Sequence, residues 1–280
     1  MTENSGLSPL RRPRRFLVEM WAEATRTISL ARLLLSVRLN QLYRHSSLGL
    51  LWAVVPTLVI TVGVTLGMPD ARDQVLRPTD VVPMQVHVAF GVVLMQTFVE
   101  AFNGQRSIFS VHLSLLQRMR FPLEAVTMAQ IAESTFHLIA KMPVLLFVLM
   151  IFGVPLKPQL LLALLACLPI LLAGIALGAL LAPVSALGKD LDRAMVFLPW
   201  LVFLLTPVFY RTPALGSWAA VQMFNPLTAM LDVVRYLAYG GGSPHWSTFW
   251  TALAVVVLVL PVGLVVCKLA PPHLAERLAP

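Results

Sequence analysis

The stretch QLLLALLACLPILLAGIALGALLA, residues 159–182, decides the fold class, because no charged side chain occurs anywhere in it. At about 1.5 Å of rise per helical residue, it is longer than the about 30 Å of hydrocarbon in a bilayer. The composition of the whole chain agrees. Of 280 residues, 58% are hydrophobic and 12% charged, whereas a soluble domain carries about 25% charged residues to cover its surface. Half that fraction leaves too little polar area for a water-facing globule. The length would permit one or two soluble domains, but the composition points to one all-α bundle of membrane helices.

Working outward, six transmembrane spans are expected, over about 48–68, 84–102, 123–152, 159–182, 194–210 and 246–268. Trp52 stands at the entry of the first. The third is long enough to need a tilt or a bend, and Pro143 offers the bend. Residues 211–244 do not fit a simple loop. They hold Pro213, Trp218, Phe224, Asn225, Pro226, Tyr236 and Tyr239 and end near Gly240. The segment is too interrupted to span and too apolar to lie free in water. A re-entrant helical hairpin accommodates both facts, and an ordinary surface-lying helix is the alternative.

Charge orients the bundle. Arg11, Arg12, Arg14, Arg15, Arg26, Arg32, Arg38 and Arg44 all precede the first span. A basic arm can bind nucleic acid, but directly before a span it reads better as a cytoplasmic flank facing anionic lipid. Residues 1–15 read as disordered. From 16 to 43, Leu30, Leu34 and Val37 recur at helical spacing, as do Leu35, Leu39 and Leu42, with basic residues between them. That is the pattern of an amphipathic helix on the membrane surface, or of one packed on a partner. With the N-terminus inside, Arg106, Arg118, Arg120, Lys189, Arg193, Lys268 and Arg277 join the cytoplasmic side. Only Arg72, Arg77, Lys157, Arg211 and Arg235 fall outside, a roughly threefold bias. Both termini are therefore expected in the cytoplasm: 1–47 as basic arm and interface helix, 48–268 as the membrane domain, 269–280 as a tail. No cleaved leader is read, since the first apolar run begins only near Leu48.

Several chemistries find no residues to carry them. The sole Gly-Lys pair, Gly188-Lys189, is followed by Asp190 instead of the Ser or Thr of a phosphate-binding loop. A pump built on this chain must take its energy from another polypeptide. No metal-ligand spacing and no Gly-x-Ser-x-Gly elbow occurs, and Cys167 and Cys267 sit inside apolar runs as packing residues. Neither an enzyme nor a bound cofactor is expected. One polar group stands out. Glu133, His137 and Lys141 fall at i, i+4 and i+8 on the third span, with Gln130 a turn before them. Ionisable groups at membrane depth are costly and face a bundle interior or a water path. They read as a proton relay or as a mutually neutralised polar lining. Glu100 on the second span faces the same interior or marks a coupling contact near its cytoplasmic end.

Three segments resemble one family in the same order. The first is Val37-Arg38-Leu39-Asn40-Gln41-Leu42-Tyr43-Arg44-His45-Ser46-Ser47-Leu48-Gly49-Leu50-Leu51-Trp52, with Pro56 after it. It is similar to the entry of ABC-2 polysaccharide permeases, where a basic amphipathic helix runs into Ser-x-Leu-Gly-x-Leu-Trp. The second, Arg118-Met119-Arg120-Phe121-Pro122, resembles the family's basic residue and Phe-Pro pair. The third is Thr206-Pro207-Val208-Phe209-Tyr210, then Asn225-Pro226-Leu227-Thr228, then Arg235. It resembles the family's Ser/Thr-Pro-x-x-Tyr, Asn-Pro-Leu-Thr and trailing arginine. The O-antigen and teichoic-acid branch resembles the chain most, capsule permeases a little less. Where the family often has Arg-Asp in its second cytoplasmic loop, Lys189-Asp190 and Asp192-Arg193 stand here, and either pair fits.

The resemblance implies a subunit of an ATP-driven exporter of lipid-linked polysaccharide in the bacterial inner membrane. It implies a homodimer, which the width of a glycan path also favours, and two separate ATPase subunits that bind ATP and Mg. Arg32, Arg38 and Arg44 would lie at the cytoplasmic entrance against the ATPase, with Arg106, Arg118, Arg120 and Phe121 as the second contact. The region 213–239 would form an outer gate. Phe209, Tyr210, Trp218, Phe224, Tyr236 and Tyr239 are candidates for a sugar-stacking lining, with Asn225 beside them, although aromatics also anchor helices at membrane interfaces. An ABC-2 exporter of a small molecule or lipid is the alternative function, and a proton-coupled transporter a more distant one.

Overall fold

A computed structural model describes residues 27–41, 51–52, 54–67, 82–111, 123–210, 222, 224–240 and 245–278, without the side chains of 64, 65 and 271–278. No strand occurs among the described residues. Helix α1 occupies 27–41. It is followed by α2 (Val55–Gly67), α3 (Met84–Arg106), α4 (Leu123–Ile151), α5 (Leu160–Ala166), α6 (Leu168–Ala186), α7 (Lys189–Leu205), α8 (Pro226–Tyr239) and α9 (Trp246–Leu278). The basic arm over 1–15 lies outside the described residues.

Six spans is the wrong number for the described residues. Four segments are long and apolar enough to cross a bilayer: Met84–Arg106, Leu123–Ile151, Leu160–Ala186 and Trp246–Ala270. The expected first span yields only α2, whose 13 residues reach about 20 Å. The expected fifth becomes α7, whose 17 residues reach about 26 Å and begin with Lys189, Asp190, Asp192 and Arg193. Apolar composition overstated both, because it does not reveal where a helix stops. Thr206 already has extended backbone at ψ 139, and residues 206–210 leave the helix. The expected hairpin over 211–244 is likewise represented by one helix, α8. Residues 211–221 and 241–244 lie outside the described ones.

Local chemistry accounts for the helix boundaries. Asn225 caps α8 by accepting a hydrogen bond from the Leu227 N–H at 3.0 Å, and Pro226 occupies the first turn, where its missing donor costs nothing. Gly153, at φ 65, ends α4. The Val154 N–H reaches the Leu149 carbonyl at 2.9 Å and the Gly153 N–H reaches Met150 at 3.1 Å, a left-handed cap that needs glycine. Pro143 stays within α4.

Lipid gives helices no hydrophobic reason to associate, so packing and small residues must hold them together. Helix α3 is the centre, with Val86, Val92, Val93, Leu94, Met95, Ala101 and Phe102 fully buried. Helix α6 runs parallel to it with backbones in contact. A Cβ on Gly174 would stand 2.6 Å from the Phe98 carbonyl oxygen, and one on Gly178 2.6 Å from that of Phe102. Gly263 brings α9 against Ala179 in the same way, at 3.0 Å. Helix α4 also packs on α3, and α8 packs on α5 and α9. Cys167 and Cys267 are free and buried, each donating to a backbone carbonyl.

Candidate functional site

Two polar centres lie at opposite ends of this bundle. The first surrounds the C-terminal part of α3. Helix α1 seats Ala31 against Ala125 and Ala129 of α4, with Leu30 and Leu34 alongside, and turns Arg32, Leu33 and Val37 outward. This brings Arg38 to α4, where its Nη1 donates at 2.7 Å to Gln130 and at 2.7 Å to Glu133. Gln130 passes the chain on to Ser134 at 3.2 Å and lies flat on Gly104 of α3, where any Cβ would collide with it. Two turns along α4, Lys141 is wholly buried and donates to Glu100 of α3 at 2.6 Å. The other Glu100 oxygen faces His137 Nδ1 at 3.7 Å.

The α4 stripe is therefore neutralised from outside itself. Glu133 is paired by α1, and Lys141 and His137 converge on α3. A cleft of about 670 Å³ opens between these helices, bordered by Arg38, Trp52, Glu100, Gln130, Glu133 and His137.

Beneath the cleft, Arg106 closes α3 onto the α6–α7 junction. It is buried, donates to Ser185 at 3.1 Å and forms an ion pair with Asp192. Lys268 of α9 meets Glu124 of α4 at 2.8 Å nearby.

The second centre is at the other end. Residues 206–210 form a bent segment between the start of α3 and α8, with the Val208 N–H donating to the Thr206 carbonyl at 2.8 Å. Asn225 Nδ2 donates to Thr206 Oγ1 at 3.0 Å, while that hydroxyl donates to the Val202 carbonyl at 2.7 Å. Buried Arg235 of α8 donates to the Pro207 carbonyl at 3.0 Å and to the His87 carbonyl at 3.1 Å. His87 Nε2 lies 3.2 Å from the Tyr210 carbonyl, and Gln222 donates to the Tyr210 hydroxyl at 2.9 Å. Gly91 lets this happen: a Cβ there would stand 2.6 Å from Arg235 Nη2. Three sequence fragments, with hydrogen-bonded partners up to 148 positions apart, thus close into one knot.

Residues 30–239 match the ABC-2 type transporter family. The chain belongs to that family. It is a multi-pass α-helical membrane permease, a transport subunit and not an enzyme. The permease is also 25% identical over 222 residues to the O-antigen export system permease protein RfbA of Myxococcus xanthus, covering 78% of this chain and 83% of that one.

The expected site residues of the permease are distributed unevenly. Arg32 is exposed on α1, Arg38 is half-buried in the cleft, and Arg106 is an internal tie. Arg44, Arg118, Arg120, Phe121 and Trp218 lie outside the described residues. In the knot, Phe209 and Phe224 are exposed, Tyr210 and Tyr236 half-buried, and Asn225 is the cap of α8. Tyr239 is buried, edge-on to Phe90 at 5.3 Å, and so packs in the core. Of the two loop acids, Asp192 holds Arg106, while Asp190 is fully exposed and meets Arg193 at 3.8 Å. Sequence reading did not single out His87, Gly91 or Gly104. A helical glycine opposite a large polar side chain leaves a signal only once the facing helix is known.

Proposed function

We propose that the permease is the membrane subunit of an ATP-driven exporter of lipid-linked polysaccharide, of O-antigen, teichoic-acid or capsule type, in the bacterial inner membrane. The similarity to an O-antigen export permease along 83% of that protein's length carries the reading. Two copies would form the path, and two ATPase subunits would drive it. Helices α2 and α7 support a dimer. Both are short for a bilayer and expose apolar faces, with Val59 and Leu66 on α2 and Phe197, Trp200 and Leu204 on α7. A short helix that finds a protein neighbour avoids thinning the bilayer around it.

In this reading the end bearing α1, Arg106 and Lys268 faces the cytoplasm, together with both termini. Residues 1–47 and 269–280 flank a membrane domain of 48–268. Arg32, Arg38, Arg44, Arg118, Arg120 and Phe121 serve ATPase contact, with Arg106 transmitting it inward. Phe209, Tyr210, Trp218, Phe224 and Tyr236 offer ring faces to sugar C–H groups at the outer end.

Deleting the gene in its host and staining the surface glycan tests the proposal. Loss of surface glycan with accumulation of lipid-linked glycan inside, reversed by the chain together with its ATPase, is expected. Unchanged surface glycan with lost efflux of a small lipid or drug would transfer the reading to a small-molecule ABC-2 exporter.

A further inference from the structure

The cleft between α1, α3 and α4 is a built site for which ion pairing alone gives no reason. Its volume, about 670 Å³, falls within the about 300–1,000 Å³ typical of small-molecule pockets. Its charges cancel. Arg38 is matched by Glu133 at 2.7 Å and Lys141 by Glu100 at 2.6 Å. A phosphate or other anion entering here would compete with a carboxylate already in place for each of these cations. The rim is rich in hydrogen-bonding groups of both kinds. Carboxylate and amide oxygens of Glu100, Glu133 and Gln130 accept, and the hydroxyl of Ser134 both donates and accepts. The Glu100 side chain is 40% exposed although the lysine it holds is buried, so its carboxylate faces the cleft and its cation lies beneath. Beside these polar groups stands Trp52, 57% exposed, a wide apolar face at the rim of the cleft.

Neutral overall charge, dense donors and acceptors, and one indole face together select a ligand that is uncharged, rich in hydroxyls and flat on one side. We propose that this cleft binds a single neutral pyranose ring, a sugar residue of the glycan being exported. Ring hydroxyls exchange hydrogen bonds with Glu100, Gln130 and Ser134, and the C–H face of the ring lies on Trp52. The proposal rests on the polysaccharide-export reading above and adds a recognition point at the end of the bundle remote from the Thr206–Arg235 knot. A site of this kind discriminates among glycans by the stereochemistry of one sugar, because a hydroxyl of the wrong configuration leaves a buried partner unpaired.

The test uses the full chain in phospholipid nanodiscs, since maltoside detergents would themselves present a sugar. Saturation-transfer NMR is recorded with methyl glycosides of glucose, galactose, mannose, rhamnose and N-acetylglucosamine, and sodium pyrophosphate is added as competitor. At least one glycoside is expected to give saturable transfer that pyrophosphate leaves intact. Trp52→Ala should weaken it about tenfold, the size of one lost aromatic contact, and Trp52→Phe should retain most of it. Trp52 is exposed, so an unchanged elution volume and thermal midpoint identify folded variants. Silence with all five glycosides, transfer indifferent to Trp52→Ala, or displacement by pyrophosphate would each overturn the proposal, the last by making the cleft an anion site. Failure of the underlying reading is separately visible: surface glycan would then persist in cells lacking the chain altogether.

Discussion

Lys141 has no exposed surface and sits on a membrane helix, where an unmatched ammonium is among the most expensive groups a chain can carry. Glu100 is what makes it tolerable. Removing one partner of such a pair costs about 3–5 kcal/mol, because the survivor keeps its desolvation without its counter-charge. Glu100 is partly exposed to the cleft, so the lower end of that range applies. Glu100→Gln is therefore expected to lower the thermal midpoint of the purified chain by several degrees. Glu100→Gln combined with Lys141→Met should recover most of the loss, and a double variant no better than the single one would refute the pairing. Asn225 is a second such position. Its oxygen caps α8 and its amide holds Thr206. Asn225→Ala should cost about 1–2 kcal/mol from the cap and the hydrogen bond together, whereas Asn225→Asp keeps the cap and loses only the donor. Thermal scans of the two variants should rank them in that order.

Helices in this bundle are held by the places where side chains are missing. Gly178 lies against the Phe102 carbonyl and Gly174 against that of Phe98, so Gly178→Val would push α6 from α3 and expose both to lipid. Overpacking of this kind costs about 1–3 kcal/mol. Reduced yield of folded protein is expected, while Gly67→Ala, with no atom within 4 Å of its Cβ position, should behave as wild type. These contacts also mark what was legible beforehand. The apolar run over 159–182 became α5 and α6, which begin one residue inside it and end four residues beyond it at Ala186, because nothing but a helix satisfies backbone polar groups in lipid. The same rule failed for α2 and α7. Trp52 and Phe209 are apolar yet lie outside those helices, and Lys189, Asp190, Asp192 and Arg193 are charged yet lie within one. The Glu133, His137 and Lys141 stripe was legible as a face of α4, since its spacing is local. Its partners Arg38 and Glu100 come from elements 95 and 41 positions away, and pairing at that distance is written in packing, not in spacing.

Among the described residues the two ends are tied differently. Around α1, Arg106 and Lys268 one end is joined by ion pairs between helices, while the other is tied by backbone carbonyls, amides and the buried Arg235, with Asp232 beside it at 3.7 Å. Under the proposed function, the permease receives work at one end and delivers an opening at the other. The basic connection ending at Arg118 and Arg120 is the expected point of receipt. Arg118→Glu with Arg120→Glu should reduce co-purification of the ATPase subunit severalfold while the permease itself still folds. Equal recovery in variant and wild type would place the contact elsewhere.

The glycine seam between α3 and α6 has a mechanical consequence. Two parallel rods touching at successive turns cannot slide, since a shift of one residue, about 1.5 Å, would bring side chains where only hydrogen atoms fit. The pair behaves as a keel. In the proposed exporter, strokes that widen or narrow a passage would fall to the planks around it, α2 and α7, which expose apolar faces and have no such glycine seam.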